Sequence, residues 1–164
     1  TAVNLTPIEH DQLVAALPPD NALARRKRLE LKDLASEPFV AYSATAAPNL
    51  ARQVISACGA AGFMPNIVQE AVQVQTILSL VESGIGIALV PSVSQARGVS
   101  KVVFRTLADA GDRLDVAIAV AVHAEIESRA AARFRELLIE FGRRSAAGRP
   151  AIRPQPMHRR KSAE

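Results

Sequence analysis

A short apolar run that follows two glycines constrains the fold of this chain more than any other feature. Residues 79–92 read SLVESGIGIALVPS, so a helix-like segment ends at Gly84 and an unbroken apolar run extends from Gly86 to Val90. A strand without polar alternation is typical of a position buried on both faces of a sheet. Gly86 leaves room for a close turn from helix to strand, and Pro91 ends the strand because it has no N–H for the ladder. The stretch therefore predicts a central strand.

Strand and helix patterns alternate along the rest of the chain. Short apolar runs between prolines or polar residues predict strands, and apolar residues at helical spacing predict helices. This alternation predicts an α/β fold: a Rossmann-like, mostly parallel sheet with flanking helices. The predicted strands are 12–17, 37–43, 64–71, 86–90, 101–107 and 113–122, and the predicted helices follow Pro48, follow Val74 and occupy 125–141, with Gly142 as the stop of the last one.

The basic charge of the chain is concentrated at its end. The net charge is +4, yet residues 142–164 alone sum to +6, which leaves −2 for residues 1–141. This Pro/Arg/Ala-rich segment has no apolar period, so it cannot bury enough surface to offset its ordering entropy. The sequence predicts a disordered basic tail over 142–164, with non-specific attraction to phosphates as the alternative for that segment.

The loop YSATAAPNL, which follows the predicted strand 37–43, is the best candidate for a binding site. It carries the hydroxyls of Ser43 and Thr45 and the amide of Asn49, and it leads into a helix. In open α/β sheets ligands bind at the carboxyl ends of strands, and the first N–H groups of a helix favour an anion such as a carboxylate. Alternatively, Ser43 and Thr45 only cap the helix, and the two interpretations are compatible.

The sequence contains no recognisable catalytic constellation. HExxH, CxxC, GxSxG and Walker patterns do not occur, and GIGIAL lacks the third glycine of a dinucleotide fingerprint and precedes a strand. Cys58 is predicted to lie in the core, His123 at the surface or at a cap, and Glu70 in solvent or in a pair. We predict no enzyme activity, no catalytic residue, no metal site and no cofactor.

The sequence contains few features that indicate a cellular compartment. A single cysteine permits no disulfide within the chain, which favours a reducing compartment. No apolar run approaches the roughly 20 residues that span a bilayer, and the first residues do not resemble a signal peptide. These features predict a cytoplasmic protein without membrane contact.

Three stretches carry a resemblance to a known family. HDQLVAALPPDNALA, LELKDLASEPFVAYS and ILSLVESGIGIALVPS follow one another in the order and at the intervals found in the effector-binding domains of LysR-type transcriptional regulators. The resemblance covers roughly residues 8–141. One departure is Asn21-Ala22, which stands where the family has His-Pro.

The resemblance implies a type-II periplasmic-binding-protein architecture, in which two α/β subdomains enclose an effector in a cleft. It implies that 1–17 is the end of the first subdomain with a crossing strand, 18–112 the second regulatory subdomain, and 113–141 the returning strand and C-terminal helix. In relatives the loop that matches Ser43, Thr45, Asn49 and Leu50 faces the effector, so these four are the implied effector-binding residues. Asn49 and Leu50 match best.

The resemblance also implies partners. The effector is expected to be a small carboxylate, of the aromatic-pathway kind, that alters the geometry of a DNA-bound homo-oligomer, a dimer or a tetramer. The family's winged helix-turn-helix and most of the first subdomain are not in this sequence, so the chain resembles a fragment, and DNA contact is expected only through that missing N-terminal domain. The apolar face of helix 125–141 is expected to self-associate. A solute-binding protein of a transporter, which has the same fold, is the alternative.

Overall fold

The computed structural model describes residues 3–97, 101–109, 111–123 and 128–148. Strands and helices alternate within these residues, and short 3-10 segments, among them Ser92–Arg97, connect several of them. In chain order the strands and α-helices are β1 (Val3–Leu17), β2 (Pro38–Tyr42), α1 (Pro48–Ala60), β3 (Asn66–Ala71), α2 (Val74–Glu82), β4 (Ala88–Pro91), β5 (Val103–Arg105), β6 (Asp115–His123) and α3 (Arg129–Gly148).

The strands confirm the α/β class and show which strands are parallel and which are antiparallel. β2 and β3 pair in parallel. β2 also lies parallel to the residues that lead into β4: the Val40 N–H donates to Ile87 O and the Ile87 N–H donates to Pro38 O, both at 2.8 Å. β1 is antiparallel to β4, β5 and β6. The expected parallel sheet is therefore the β3-β2-β4 part, where α1 and α2 provide the crossovers that parallel neighbours need. In the other connections between strands, the described residues form short 3-10 segments and no crossover helix, and the alternation pattern did not reveal these antiparallel strands.

The central strands are buried on both faces, as the GIGIALVP run predicted. Alternate side chains of β1, β2 and the residues around β4 point to opposite sides of the sheet, so two apolar clusters form. Val54 and Cys58 of α1 belong to one cluster, and Ile77 and Val81 of α2 belong to the other. The two helices therefore cover opposite faces of the sheet.

Two glycines make the turn between α2 and β4. Gly84 has φ 79°, in the left-handed region that favours glycine. A Cβ on Gly86 would lie 2.5 Å from Pro38 O, so a side chain at this position would displace β2. The role of Gly84 agrees with the sequence prediction, whereas Gly86 makes room for β2 and not for the turn itself.

β1 is longer than the predicted strand 12–17, because it begins at Val3. Its first part, Val3–Gln12, pairs with Asp115–His123 of β6, and we call this pair the ribbon. The register of the ribbon shifts between Pro7 and Glu9. A proline is tolerated in a strand at such an irregularity, so Pro7 interrupts the apolar pattern without ending the strand.

The prediction that Gly142 stops the last helix was wrong, and so was the start of the disordered tail. α3 continues to Gly148, so residues 142–148 are helical, whereas 149–164 and the predicted helix start at 125–127 lie outside the described residues. Gly142 lies against β1, and a Cβ there would overlap Ile8 O. The glycine therefore permits close helix–strand contact, and the Arg- and Ala-rich residues beyond it extend the helix.

Candidate functional site

The loop after β2 lies at the carboxyl ends of two parallel strands. The Ser43 N–H donates to Ala71 O at 3.0 Å, so β2 and β3 end side by side. The Glu70 carboxylate accepts from the Ala44 N–H at 3.3 Å, so Glu70 is paired, one of the two environments predicted for it. These two contacts hold the loop at the edge of the sheet where α/β proteins bind ligands.

The hydroxyls of Ser43 and Thr45 do not cap α1. The N-cap residue is Ala47, which has no side-chain capping bond, and Pro48 occupies the first turn. Ser43 Oγ and Thr45 Oγ1 instead lie 3.0 Å apart in a hydrogen bond with each other. The capping alternative was therefore wrong, and the N–H groups that a helix leaves open in its first turn have no capping side chain at α1.

A cavity of about 420 Å³ opens beside the start of α1. Asn49 and Leu50 line it, whereas Ser43 and Thr45 are not among its lining residues. The structure thus brings two of the four implied effector-binding residues into one cavity and leaves the other two outside its lining. The full lining comes from β1, α1, the end of β4, the 3-10 segment after it and β6, and consists of Glu9, Asp11, Asn49, Leu50, Gln53, Pro91, Val93, Asp115, Val116, Ala117 and Ile118.

Two amide side chains organise the α1 wall of the cavity. Asn49 Oδ1 accepts from Arg52 Nη2 at 2.9 Å, which orients the Asn49 NH₂ group as the donor that a ligand can meet. Gln53 Nε2 donates to Asp115 O and Arg113 O, so it fastens α1 to the start of β6. Sequence reasoning missed Gln53, because its partners are backbone carbonyls about sixty residues away.

Three carboxylates also line the cavity: Glu9, Asp11 and Asp115. Asp11 accepts from the Gln12 N–H at 2.8 Å, from the Val93 N–H at 3.1 Å and from the Ser92 hydroxyl. Asp115 Oδ1 accepts from Gln12 Nε2 at 3.4 Å. Sequence reasoning missed these residues too. Only the pairing of Asp11 with Val116 and of Gln12 with Asp115 in the ribbon brings the two aspartates together.

The remaining reactive side chains do not form a second site in the described residues. Cys58 is fully buried, and burial raises the pKa of its thiol to about 11, so it belongs to the core as predicted. Among the described residues, no three His, Cys, Asp or Glu side chains are grouped so that they could hold a metal ion. None of the helices described is both long and apolar enough to cross a bilayer.

Comparison with known proteins gives a consistent result. Residues 1–143 match the family model for the LysR substrate binding domain. Among curated proteins, the chain is 38% identical over 92 residues to the HTH-type transcriptional regulator AlsR of Bacillus subtilis, a match covering 56% of this chain and 30% of the relative. It is 36% identical over 101 residues to the HTH-type transcriptional regulator CatR of Pseudomonas putida, covering 62% and 35%.

A solved structure extends the comparison to the fold. The chain superposes on the BenM effector-binding domain with its effector benzoate at a TM-score of 0.75 and 26% identity, covering 91% of this chain and 67% of that one. The effector-binding-domain fold implied by the resemblance is therefore confirmed, and the division into two subdomains stays a prediction. The matched part spans about a third of the length of these curated relatives, which are transcriptional regulators and not enzymes.

Proposed function

This chain belongs to the family of LysR substrate-binding domains, and from that premise we propose that it senses a small carboxylate for a transcription regulator. The observation that carries the proposal is the cavity at the start of α1, which Asn49 and Leu50 line together with both strands of the ribbon. The names of the curated relatives support a regulator over the solute-binding protein of a transporter, which shares the fold.

The start of α1 and the apolar part of the cavity lining support the proposed effector class. The N-terminus of α1 carries the partial positive charge of a helix start, and the Asn49 amide adds a donor. Leu50, Pro91, Val93 and Ile118 offer apolar surface for a ring. Benzoate, the effector of the related BenM domain, combines these two features, and we propose an effector of this aromatic-pathway type.

The acids of the cavity determine how such an effector would lie. Asp11 and Asp115 already accept hydrogen bonds, but they still repel an anion close by. We therefore place the effector carboxylate toward the start of α1, near Asn49 and the Ser43–Thr45 pair, and the ring toward the ribbon. In this arrangement the Asn49 amide donates to the carboxylate and Leu50 contacts the ring, whereas Ser43 and Thr45, which do not line the cavity, would contact the carboxylate only after their loop moves toward it.

The mechanism we propose is a population shift between two arrangements of subdomains. Residues 1–17 and 113–141 would belong to the crossing strands and the first subdomain, and 18–112 would form the second. An effector shifts the equilibrium only if it binds one arrangement more tightly, and a cleft between two mobile walls provides that difference. The shift would alter a DNA-bound homo-oligomer in the cytoplasm, with DNA contact made by the helix-turn-helix domain of the regulator.

Calorimetry of the 164-residue chain with benzoate tests the effector site. We expect Asn49→Ala to weaken binding about tenfold, since a hydrogen bond to a charged group is lost. Asn66→Ala removes an exposed asparagine of β3 that does not line the cavity, so this control should bind like the unaltered chain. Equal affinity of the two variants would remove Asn49 from the site.

A second titration tests the charge of the ligand. Benzamide keeps the ring and loses the negative charge, so we expect it to bind more weakly than benzoate. Benzamide binding as tight as benzoate binding would contradict a carboxylate effector.

A further inference from the structure

β1 changes partners between two consecutive residues beside the cavity. Up to Gln12 it pairs with β6, in the ribbon, and from Leu13 onward it pairs with β4. Leu13 is opposite Pro91, the last residue of β4. Proline has no N–H to continue the ladder. The backbone bonds that hold β1 against β4 therefore end at the point where the ribbon leaves the sheet.

The side chain of Asp11 continues this contact beyond the end of the ladder. Its carboxylate accepts from the Ser92 hydroxyl and the Val93 N–H, the first two residues of the 3-10 segment Ser92–Arg97. It also accepts from the N–H of the following residue, Gln12, at 2.8 Å. One carboxylate thus binds both the ribbon strand and the segment after β4. Because the acceptor is charged, these hydrogen bonds are stronger than hydrogen bonds between neutral groups.

The cavity lies at the same place, where the ribbon meets the sheet. Pro91 and Val93 belong to the sheet side of its lining, and residues 115–118 belong to the ribbon side. Asp11 lines the cavity between them. A ligand in the cavity would therefore contact both of the parts that Asp11 fastens together.

We propose that Asp11 is a positioning residue that fixes the angle at which the ribbon leaves the sheet, and so sets the spacing of the two walls of the cavity. Its use in effector sensing rests on the proposed function above. The fastening itself is a property of the ligand-free chain and can be tested without an effector.

Hydrogen exchange of the ligand-free chain tests the fastening. Asp11→Asn keeps the size of the side chain and removes its charge and one acceptor oxygen. We expect the Val93 amide to exchange about tenfold faster, the factor that a lost hydrogen bond to a charged group produces. Asp20→Asn makes the same change at an exposed aspartate that does not line the cavity, and should leave this rate unchanged. Equal rates in the two variants would overturn the proposal.

A distance measurement separates positioning from a local packing effect. Spin labels at Asn4→Cys on the ribbon and Lys27→Cys on the sheet side occupy exposed positions, and buried Cys58, with its raised pKa, stays unlabelled. In the otherwise unaltered chain we expect one narrow distribution of distances between the two labels. Asp11→Asn should broaden this distribution, whereas Asp11→Glu and Asp20→Asn should leave it narrow. A distribution that Asp11→Asn leaves narrow would overturn the proposal.

Repeating the distance measurement with benzoate distinguishes the two proposals. A benzoate-induced shift in the unaltered chain that is lost in Asp11→Asn supports both. If benzoate causes no shift while Asp11→Asn still broadens the ligand-free distribution, the effector proposal fails and the role of Asp11 stands. If benzoate shifts both chains alike, the use of Asp11 in effector sensing fails and the effector proposal stands.

Discussion

At the scale of single residues, glycines decide where two elements approach most closely. Gly86 lets the entry to β4 lie against Pro38, and Gly142 lets α3 lie against Ile8. Both are glycines because the neighbouring atom is a backbone oxygen, which cannot move aside as a side chain can. Gly59 of α1, in contrast, has open space where a Cβ would lie.

Gly142→Ala tests the close contact of α3 with β1. The new methyl group would overlap Ile8 O and Ile8 Cγ2, so we expect the free energy of unfolding to fall by about 1–3 kcal/mol, as for other overpacked sites. Gly59→Ala is the matched control and should raise stability by up to about 1 kcal/mol, because alanine favours a helix over glycine. Urea denaturation measures both, and a stabilising Gly142→Ala would contradict the contact.

At the scale of elements, a strand's position in the sheet decides how much of it is buried. β4 lies between β2 and β1, and its Ala88, Leu89 and Val90 are all buried. β3 pairs with β2 in the described sheet and exposes most of its residues, including Val68, which is 47% exposed. An apolar side chain in β4 therefore contributes more to the free energy of unfolding than a similar side chain in β3.

Val90→Ala and Val68→Ala compare the two strands with one substitution. Val90→Ala removes two buried carbon groups and leaves a cavity, so we expect a loss of about 2 kcal/mol. Val68→Ala should cost about 0.5 kcal/mol, as is usual for a surface position. Both free energies of unfolding come from urea denaturation, and equal losses would contradict the buried position of β4.

At the scale of the whole molecule, the ribbon and α3 leave an apolar surface in contact with solvent. Phe134, Leu137 and Phe141 of α3 are 61%, 49% and 66% exposed, and Leu5 and Ile118 of the ribbon are 69% and 63% exposed. The three α3 residues recur at i, i+3 and i+7, so they share one helix face. A face of this kind favours association, as the sequence predicted for this helix.

Phe134→Glu tests whether this face causes self-association of the chain. We expect the unaltered chain to sediment with a concentration-dependent mass, and Phe134→Glu to shift it toward a single copy, since a charge would be buried in the contact. Met64→Glu introduces the same charge at another exposed apolar residue, 70% exposed, away from this face. Equal sedimentation of the two variants would show that the face is not the contact.

The sequence by itself determined the α/β class, the both-sided burial of β4 and the loop that leads into α1, because these depend on local periodicity and on proline and glycine chemistry. It also placed Cys58 in the core. The loop pattern indicated Asn49 and the family resemblance added Leu50, and the structure places both in the cavity lining.

Only the tertiary structure decided the rest. Gly142 resembles a helix stop until Ile8, distant in sequence, is seen against it. The antiparallel pairing of β1, and the meeting of Asp11 with Ser92 and of Gln53 with Asp115, depend on residues about sixty to eighty positions apart. A local pattern reports the conformation of a segment, whereas the partner of a side chain is fixed by how the segments pack.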